Sequence, residues 1–257
     1  MPISFFWSIG VKKLFLITTI MLTLSSSLFS MGKGEVNIVK DSSYTDSRGI
    51  VIPLNGELKR IISLSPNVSE IIASLGATDM LVGRTDYCTY PPSIQNVVTV
   101  GDLMSPSIEK IVSLNPDIVI VSTLGQNQTL QTLSQQGLTV AYIDKSQSME
   151  GTYSLIEDIA LLVGKKEEGA ILISAMKDEV KKVEERVSSL TPRTTYYVAG
   201  FGQWGDFTAT GDTFINEMIQ IAGGENIASS ARNWTFSLEE LLMHDPEVII
   251  LPPLWNS

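Results

Sequence analysis

One pattern of sixteen residues occurs twice in this chain, and the repeat constrains the fold more than any other feature. The first copy is Pro106–Val121 (PSIEKIVSLNPDIVIV) and the second is Phe236–Leu251 (FSLEELLMHDPEVIIL). Aligning Pro116 with Pro246 gives a constant offset of 130 residues along both copies. A unit that is used twice at this separation predicts two similar lobes.

Each copy predicts a short helix, a proline stop and a buried strand. Ser107 and Ser237 stand where a side-chain hydroxyl can cap the first turn of the helix. The residue before each proline is disfavoured in a helix, so each helix should end there. The runs Ile118–Val121 and Val248–Leu251 are rich in β-branched residues and do not alternate with polar ones. Such runs are typical of strands that are covered on both faces.

The rest of the chain alternates strands with helices, which predicts an α/β fold with mainly parallel sheets. A long helix, Lys165–Leu190, is predicted after the first group of strands. One side of this helix carries an apolar stripe at spacings of three and four residues: Leu172, Met176, Val180, Val183, Val187 and Leu190. It would extend about 39 Å at 1.5 Å per residue, and we interpret it as a stiff link between the two lobes.

The N-terminus has the pattern of an export signal. Lys12 and Lys13 precede an apolar run, and small residues suited to cleavage surround Met31. An uncleaved N-terminal anchor is the alternative. The predicted divisions are a signal segment 1–32, a flexible leader 33–48, a first lobe 49–151, a helical connector 152–191 and a second lobe 192–257. Since six residues follow Leu251, we expect the native gene product to continue by at least a helix and a strand.

Composition excludes several classes of function. The formal net charge of −10 and the lack of a basic cluster argue against nucleic acid as a partner. The chain has one cysteine, Cys88, and one histidine, His244, which argues against a site for a bare transition metal. His244 is interpreted as a surface residue or one in the last turn of its helix, rather than as a general base. A Cys-dependent enzyme with Cys88 as nucleophile remains as the catalytic alternative.

A glycine-rich loop follows the predicted strand at 194–199. Gly200–Gly205 matches a dinucleotide-binding fingerprint, which needs a helix to begin at once so that its N-terminus meets the pyrophosphate. Here the segment 206–211 intervenes, and the Asp206 carboxylate would repel phosphate. We therefore interpret this loop as a support that lets Trp204 and Phe207 project into a cleft.

Four segments together resemble the substrate-binding proteins of ABC importers for cobalamin, haem and ferric siderophores. The segments are Arg60–Glu70, Gly83–Pro92, Ser107–Val121 and Gly223–Ala228, and the likeness extends from about Gly49 to the last residue. The resemblance implies two α/β lobes that are joined by one long helix and hold the ligand in a cleft between them. It also implies that Glu109 and Glu239, one at the tip of each lobe, dock on arginines of the membrane permease.

The same resemblance suggests where a ligand would bind. Tyr87 matches a cleft tyrosine of the cobalamin-binding members, and Trp234 lies near a cleft tryptophan of the second lobe. Flat aromatic faces suit a large macrocycle or catecholate, and arginines can pair with carboxylates on such a ligand. The expected ligand-binding residues are Tyr87, Tyr90, Trp204, Phe207, Trp234, Arg84 and Arg232.

The resulting hypothesis is an exported, monomeric solute-binding protein without a catalytic residue, a bound metal or a resident cofactor. Its ligand would be a chelated iron or cobalt complex, and its partner an ABC permease in the membrane. A receptor domain of the same fold, which binds the ligand but passes on a signal instead of cargo, is the alternative of a different class.

Overall fold

The computed structural model describes residues 43–54, 56–122, 127–202 and 205–251. The predicted signal segment, most of the predicted leader and Trp204 lie outside the described residues. The described residues belong to one compact unit, residues 41–257. None of the described helices is long and apolar enough to cross a membrane.

In its described residues, the first lobe contains six strands and three α-helices. They are β1 (Ser43–Thr45), β2 (Val51–Pro53), β3 (Ile61–Ser63), α1 (Pro66–Ser74), β4 (Leu81–Arg84), α2 (Ile108–Ser113), β5 (Ile118–Ser122), α3 (Asn127–Gln135) and β6 (Val140–Ile143). Four strands form a parallel sheet in the order β4-β3-β5-β6.

Two helices connect this lobe to the second, which contains the remaining elements. The connecting helices are α4 (Met149–Leu162) and α5 (Lys166–Val187). The second lobe comprises β7 (Arg193–Gly200), β8 (Phe207–Thr208), α6 (Phe214–Ile221), β9 (Gly224–Asn226), α7 (Leu238–His244) and β10 (Val248–Ile250). Strand β7 pairs in parallel with β9 and β10 and antiparallel with β8. The predicted α/β class with mainly parallel sheets is therefore confirmed.

The repeated unit forms the same structure in both lobes. The Ser107 hydroxyl accepts the N–H of Lys110, and the Ser237 hydroxyl accepts the N–H of Glu240, so both helices have the expected cap. Strand β5 pairs with β3 through Ile118 and Ile61, and β10 pairs with β7 through the equivalent Val248. The predicted duplication is confirmed at the level of caps and strand pairing.

Strand β5 is covered on both faces, as predicted. Ile118 and Ile120 lie in a core with side chains of α1 and α4, whereas Val119 and Val121 lie in a second core with α2 and α3. The same prediction is wrong for β10, where Ile249 is 57% exposed. The reason is position: β5 lies between β3 and β6, while β10 is at an edge of the described sheet.

The long helix α5 has 22 residues, which corresponds to about 33 Å. Its first half packs on α4 so closely that a Cβ on Gly169 would lie 2.6 Å from that of Ala160. Ile173 is buried there, but Val183 and Leu190 of the predicted stripe are exposed. The other stripe residues, Leu172, Met176, Val180 and Val187, are half-buried, and Val187 lies against Gly223 of the second lobe.

The predicted flexible leader is wrong for residues 43–48, which form β1 and a turn. The Asp46 carboxylate is fully buried and accepts hydrogen bonds from the Arg48 guanidinium and from the N–H groups of Arg48, Ile50 and Tyr142. Ser47 exchanges further hydrogen bonds with Tyr142 and Asp144 at the end of β6. This turn satisfies backbone groups along β6, and the first lobe therefore begins at least as early as Ser43.

Candidate functional site: a ligand cleft and two docking helices

The carboxyl ends of the first lobe's parallel strands carry a polar cluster that sequence reasoning missed. Ser65 precedes α1, yet its hydroxyl does not cap this helix and instead accepts the N–H of Ser122 at 2.9 Å. The Asn67 amide, exposed in the first turn of α1, donates to the Ser122 hydroxyl at 3.4 Å. In open parallel sheets, ligands bind outside the carboxyl ends of the strands. Only strand pairing brings these three residues together, so no sequence motif could have predicted the cluster.

Arg84 is not placed to bind a ligand, which corrects the expectation from sequence. Its side chain lies inside the first lobe, with 8% of the residue exposed. The guanidinium donates to the carbonyl oxygens of Ile94, Thr85 and Gln95 at 3.0 to 3.1 Å. Arg84 therefore fixes the loop that follows β4.

The loop after β4 presents the two predicted tyrosines to solvent. Tyr87 is 58% exposed and Tyr90 is 63% exposed. The loop is anchored to the first lobe by Cys88, which lies between the two tyrosines in the sequence. Cys88 is buried, and its sulfur lies 3.2 Å from the Thr85 hydroxyl. The two rings thus project from a supported loop at the carboxyl end of a parallel strand.

Phe207 lies at the start of β8 and folds back on the glycine-rich loop. A Cβ on Gly200 would lie 3.2 Å from its ring, and one on Gly205 would lie 3.3 Å away. The two glycines thus leave space for the ring, which covers the hairpin and remains 37% exposed. One side of the ring is open to solvent, and the expectation that Phe207 lines a cleft stays a prediction.

Trp234 lies beside Phe207 and has an unusual backbone. Asn233 and Trp234 have φ angles of 60° and 63°, a left-handed conformation that is costly for a bulky residue. The N–H of Trp234 donates to the Thr210 hydroxyl, and its carbonyl accepts the N–H of Thr208. These contacts hold Trp234, which is 42% exposed, against the end of β8.

The Asp212 carboxylate also stabilises the segment that carries Asn233 and Trp234. Its carboxylate accepts the Thr210 hydroxyl at 2.5 Å and the N–H of Asn233 at 3.1 Å. These hydrogen bonds, with a smaller contribution from the Arg232 charge, lower the pKa of Asp212. Arg232 itself is exposed and donates to the carbonyl oxygen of Ala231, so its position leaves part of the guanidinium open.

The predicted cleft residues fall into two groups in the described structure. Phe207 and Trp234 are adjacent in the second lobe, and Tyr87 and Tyr90 share a loop of the first. Among the described residues, no ring-to-ring contact joins the two groups. Each group lies at the carboxyl ends of the parallel strands of its own lobe.

The two predicted docking residues occupy equivalent positions. Glu109 lies in the first turn of α2 and Glu239 in the first turn of α7, and both are exposed. A carboxylate in this position is stabilised by the helix dipole, which by itself explains an acidic residue there. Their matched exposure leaves both free to contact a partner.

Cys88 and His244 do not form a catalytic pair in the described structure. Cys88 is 1% exposed within the first core, whereas His244 lies in the last turn of α7. The His244 Nδ1 donates to the carbonyl oxygen of Glu240 at 2.8 Å. It is therefore a residue of the C-terminal turn, as predicted. Among the described residues, no group of three or more metal-binding side chains is close enough to hold an ion.

Comparison with known proteins identifies the group to which this architecture belongs. The sequence profile of the periplasmic binding proteins matches residues 61–254, about three quarters of the chain. The chain belongs to the periplasmic binding protein family. Proteins of this family are substrate-binding components of transport systems and act outside the cytoplasm.

Individual periplasmic binding proteins are similar over most of this chain. An ABC transporter substrate-binding lipoprotein of Bacillus subtilis is 29% identical over 82% of the chain and 68% of its own length. A cobalamin-binding protein of Halobacterium salinarum is 30% identical over 80% of the chain and 57% of its own length. The chain thus spans between half and about two thirds of the length of these relatives.

A solved structure agrees with the fold. The periplasmic haem-binding protein RhuT of Roseiflexus, in its apo form, superimposes with a TM-score of 0.68 and 26% identity. The match covers 76% of both chains. The expected family and its fold are therefore confirmed, while the assignment of individual ligand-binding residues stays a prediction.

Proposed function

We propose that this protein captures a metal chelate outside the cytoplasm and delivers it to an ABC permease. The chelate would be a ferric siderophore, haem or cobalamin, and the protein would act as an exported monomer. The observation that carries the proposal is the matched placement of Glu109 and Glu239 on equivalent, exposed first turns of α2 and α7. Two equal contacts on two lobes suit a permease that receives both lobes at once.

The surface around the strand ends supports a chelate as cargo. Tyr87, Tyr90, Phe207 and Trp234 present aromatic surface at the carboxyl ends of the parallel strands. Aromatic side chains bury a large area at a small entropic cost, so they suit a flat ligand. The buried Cys88 and the distant turn position of His244 favour transport over catalysis.

The choice of ligand is tested by titration. Haem, cobalamin and several ferric siderophores are added to the protein, and binding is followed by absorbance and calorimetry. At least one chelate should bind, and Trp234→Ala should weaken it by roughly 2 kcal/mol, as expected of an aromatic anchor. Leu242→Ala is the matched control, because Leu242 is 80% exposed on α7, away from the strand ends. Tight binding of bare zinc, manganese or ferric ion, with indifference to every chelate, would overturn the proposal.

Docking is tested separately from ligand binding. Replacing Glu109 and Glu239 together by alanine should abolish uptake of the chelate in the source strain while leaving its affinity unchanged. Glu240→Ala is the control, since Glu240 is exposed on the same turn of α7. Normal uptake in the double variant would exclude these glutamates as the permease contacts. Signalling without uptake would favour the receptor alternative.

A further inference from the structure

A hydrogen bond joins the second lobe to the helices that extend from the first. Glu217, on α6 of the second lobe, accepts the backbone N–H of Met149 through Oε2 at 2.9 Å. Met149 is the first residue of α4, which packs on α1 in the first lobe and on α5. This carboxylate therefore links the second lobe to a connecting helix that packs on the first lobe.

The N-terminus of α4 explains why this link is favourable. The first N–H groups of a helix have no partner within the helix, and they attract negative charge. The Ser148 hydroxyl accepts one of them, from Gly151. The Glu217 carboxylate accepts another, so the second lobe completes the cap of a connecting helix that packs on the first lobe.

A second contact lies at the other end of α6. The chain turns at Gly223, where φ is 77°, and passes against the last turn of α5. A Cβ on Gly223 would lie 2.8 Å from the Cβ of Val187, so a larger residue does not fit without movement. Glu217 and Gly223 thus attach one short helix to two different helices.

The charged groups near this link come from three helices. Tyr153 is buried on α4, one turn after Met149, and the Lys177 ammonium of α5 lies 4.8 Å from its ring centroid. Burial, followed by the carboxylates of Glu150, Glu217 and Glu184, raises the pKa of Tyr153. The Lys177 ammonium is a charge of opposite sign beside the same ring, so the groups near the link include both signs.

We propose that Glu217 is an interlobe latch, a positioning residue whose hydrogen bond to Met149 fixes the angle between the lobes in the ligand-free protein. It acts through the position of α6 and contacts no ligand itself. The width of the cleft between the strand ends of the two lobes follows from this angle. The inference deepens the proposed function, but the latch itself is defined without any ligand.

The test measures the distance between the lobes in the ligand-free protein. Spin labels are attached to cysteines introduced at Glu70 on α1 and Met243 on α7, both exposed, with Cys88→Ala in every variant. Pulsed electron paramagnetic resonance then gives the distribution of distances. The parent should show one narrow distribution, and Glu217→Ala should shift or broaden it by several ångström.

Two further variants distinguish the loss of this hydrogen bond from a general disturbance of the fold. Met149→Pro removes the donor and leaves Glu217 intact, and proline is tolerated at the first position of a helix. Ser148 already has the extended backbone that a residue before proline adopts. Met149→Pro should therefore reproduce the distribution of Glu217→Ala. Glu217→Gln keeps an acceptor oxygen and should retain the parent distribution.

The matched control is Glu225→Ala, an exposed carboxylate of the same lobe without a hydrogen bond among the described side chains. It should leave the distribution unchanged. A parent-like distribution in either Glu217→Ala or Met149→Pro would overturn the latch, as would a broadened one in Glu217→Gln. Because no chelate or permease is needed, failure here is distinct from failure of the proposed function.

Discussion

Asn115 and Asp245 occupy equivalent places in the two lobes and have the same left-handed backbone, with φ angles of 44° and 42°. Each follows the helix of the repeated unit and stands directly before a proline. A left-handed residue reverses the chain tightly enough for the following strand to enter the sheet, and Asn and Asp tolerate this conformation better than most residues. The repeat is therefore preserved in backbone geometry as well as in sequence.

The first prediction concerns this turn. Asn115→Val should lower the free energy of unfolding by about 1–2 kcal/mol, because a β-branched residue is strained at positive φ. Asn115→Gly should stay within about 1 kcal/mol of the parent, since glycine adopts this conformation without strain. Urea denaturation measures both values. Equal stability of the two variants would show that the turn is not held in the left-handed region.

The second prediction concerns Arg84. Arg84→Ala should lower the free energy of unfolding by at least about 2 kcal/mol, because three carbonyl oxygens lose their donor inside the lobe. Arg232→Ala is the matched control and should change it by less than about 1 kcal/mol, since Arg232 is exposed. Thermal and urea unfolding provide the comparison. A stable Arg84→Ala protein that has lost chelate affinity would restore Arg84 as a ligand residue.

The third prediction concerns pH and the N-terminal turn. Burial opposes ionisation of Asp46, but hydrogen bonds from the Arg48 side chain and from the N–H groups of Ile50, Tyr142 and Arg48 outweigh it and lower the pKa of Asp46. Since the folded pKa is below the unfolded value of about 3.9, the ionised carboxylate stabilises the fold above that pH. This stabilisation is lost as the pH falls through the folded pKa.

Asp46→Asn measures this contribution. It should lower the free energy of unfolding by about 1.5–3 kcal/mol near neutral pH, the range for hydrogen bonds to a charged group. The difference between variant and parent should shrink as the pH falls below about 4. Urea denaturation at a series of pH values gives the profile. A difference that is constant down to the acid limit would contradict the role of the ionised carboxylate.

The fourth prediction concerns the support of Trp234. Thr210→Val removes the hydroxyl that accepts the N–H of Trp234 and donates to Asp212. The left-handed Trp234 should then lose its fixed position, and chelate affinity should fall by about 0.5–1.5 kcal/mol, the value of one hydrogen bond. Thr235→Val is the control, because its exposed hydroxyl donates to the carbonyl oxygen of Arg232 and to no other described residue. Equal affinities in the chelate titration would remove Thr210 from the positioning of the ring.

The sequence correctly predicted features that depend on neighbours along the chain. The caps by Ser107 and Ser237, the proline stops and the strand Ile118–Val121 all follow from local preferences that short-range contacts enforce. The resemblance to binding proteins of ABC importers was carried by such segments, and the family match confirms it. Both copies of the repeat have the same local pattern, so one argument predicted the helix, the proline stop and the strand of each copy.

Other predictions failed where the environment of a side chain decides its role. An arginine that binds a carboxylate and one that holds three carbonyl oxygens have the same letter in the sequence, so Arg84 was assigned to the cleft. Residues 43–48 are polar and were interpreted as a flexible leader, although β6 supplies partners for Asp46 and Ser47. Neither outcome follows from composition. Ile94, which accepts a hydrogen bond from Arg84, is about 10 residues away in the chain, and Tyr142, which donates one to Asp46, is nearly 100 residues away.

The sequence by itself therefore determined the α/β class, the duplication of the helix, proline and strand, and the family. Only the tertiary structure decided which polar groups meet: Asp46 with the end of β6, Ser65 with Ser122, and Glu217 with the first N–H of α4. Local patterns reflect the conformational preferences of neighbouring residues, which the chain carries with it. Contacts between distant residues depend on how sheets and helices are placed in space, and that placement is fixed only when the whole core has formed.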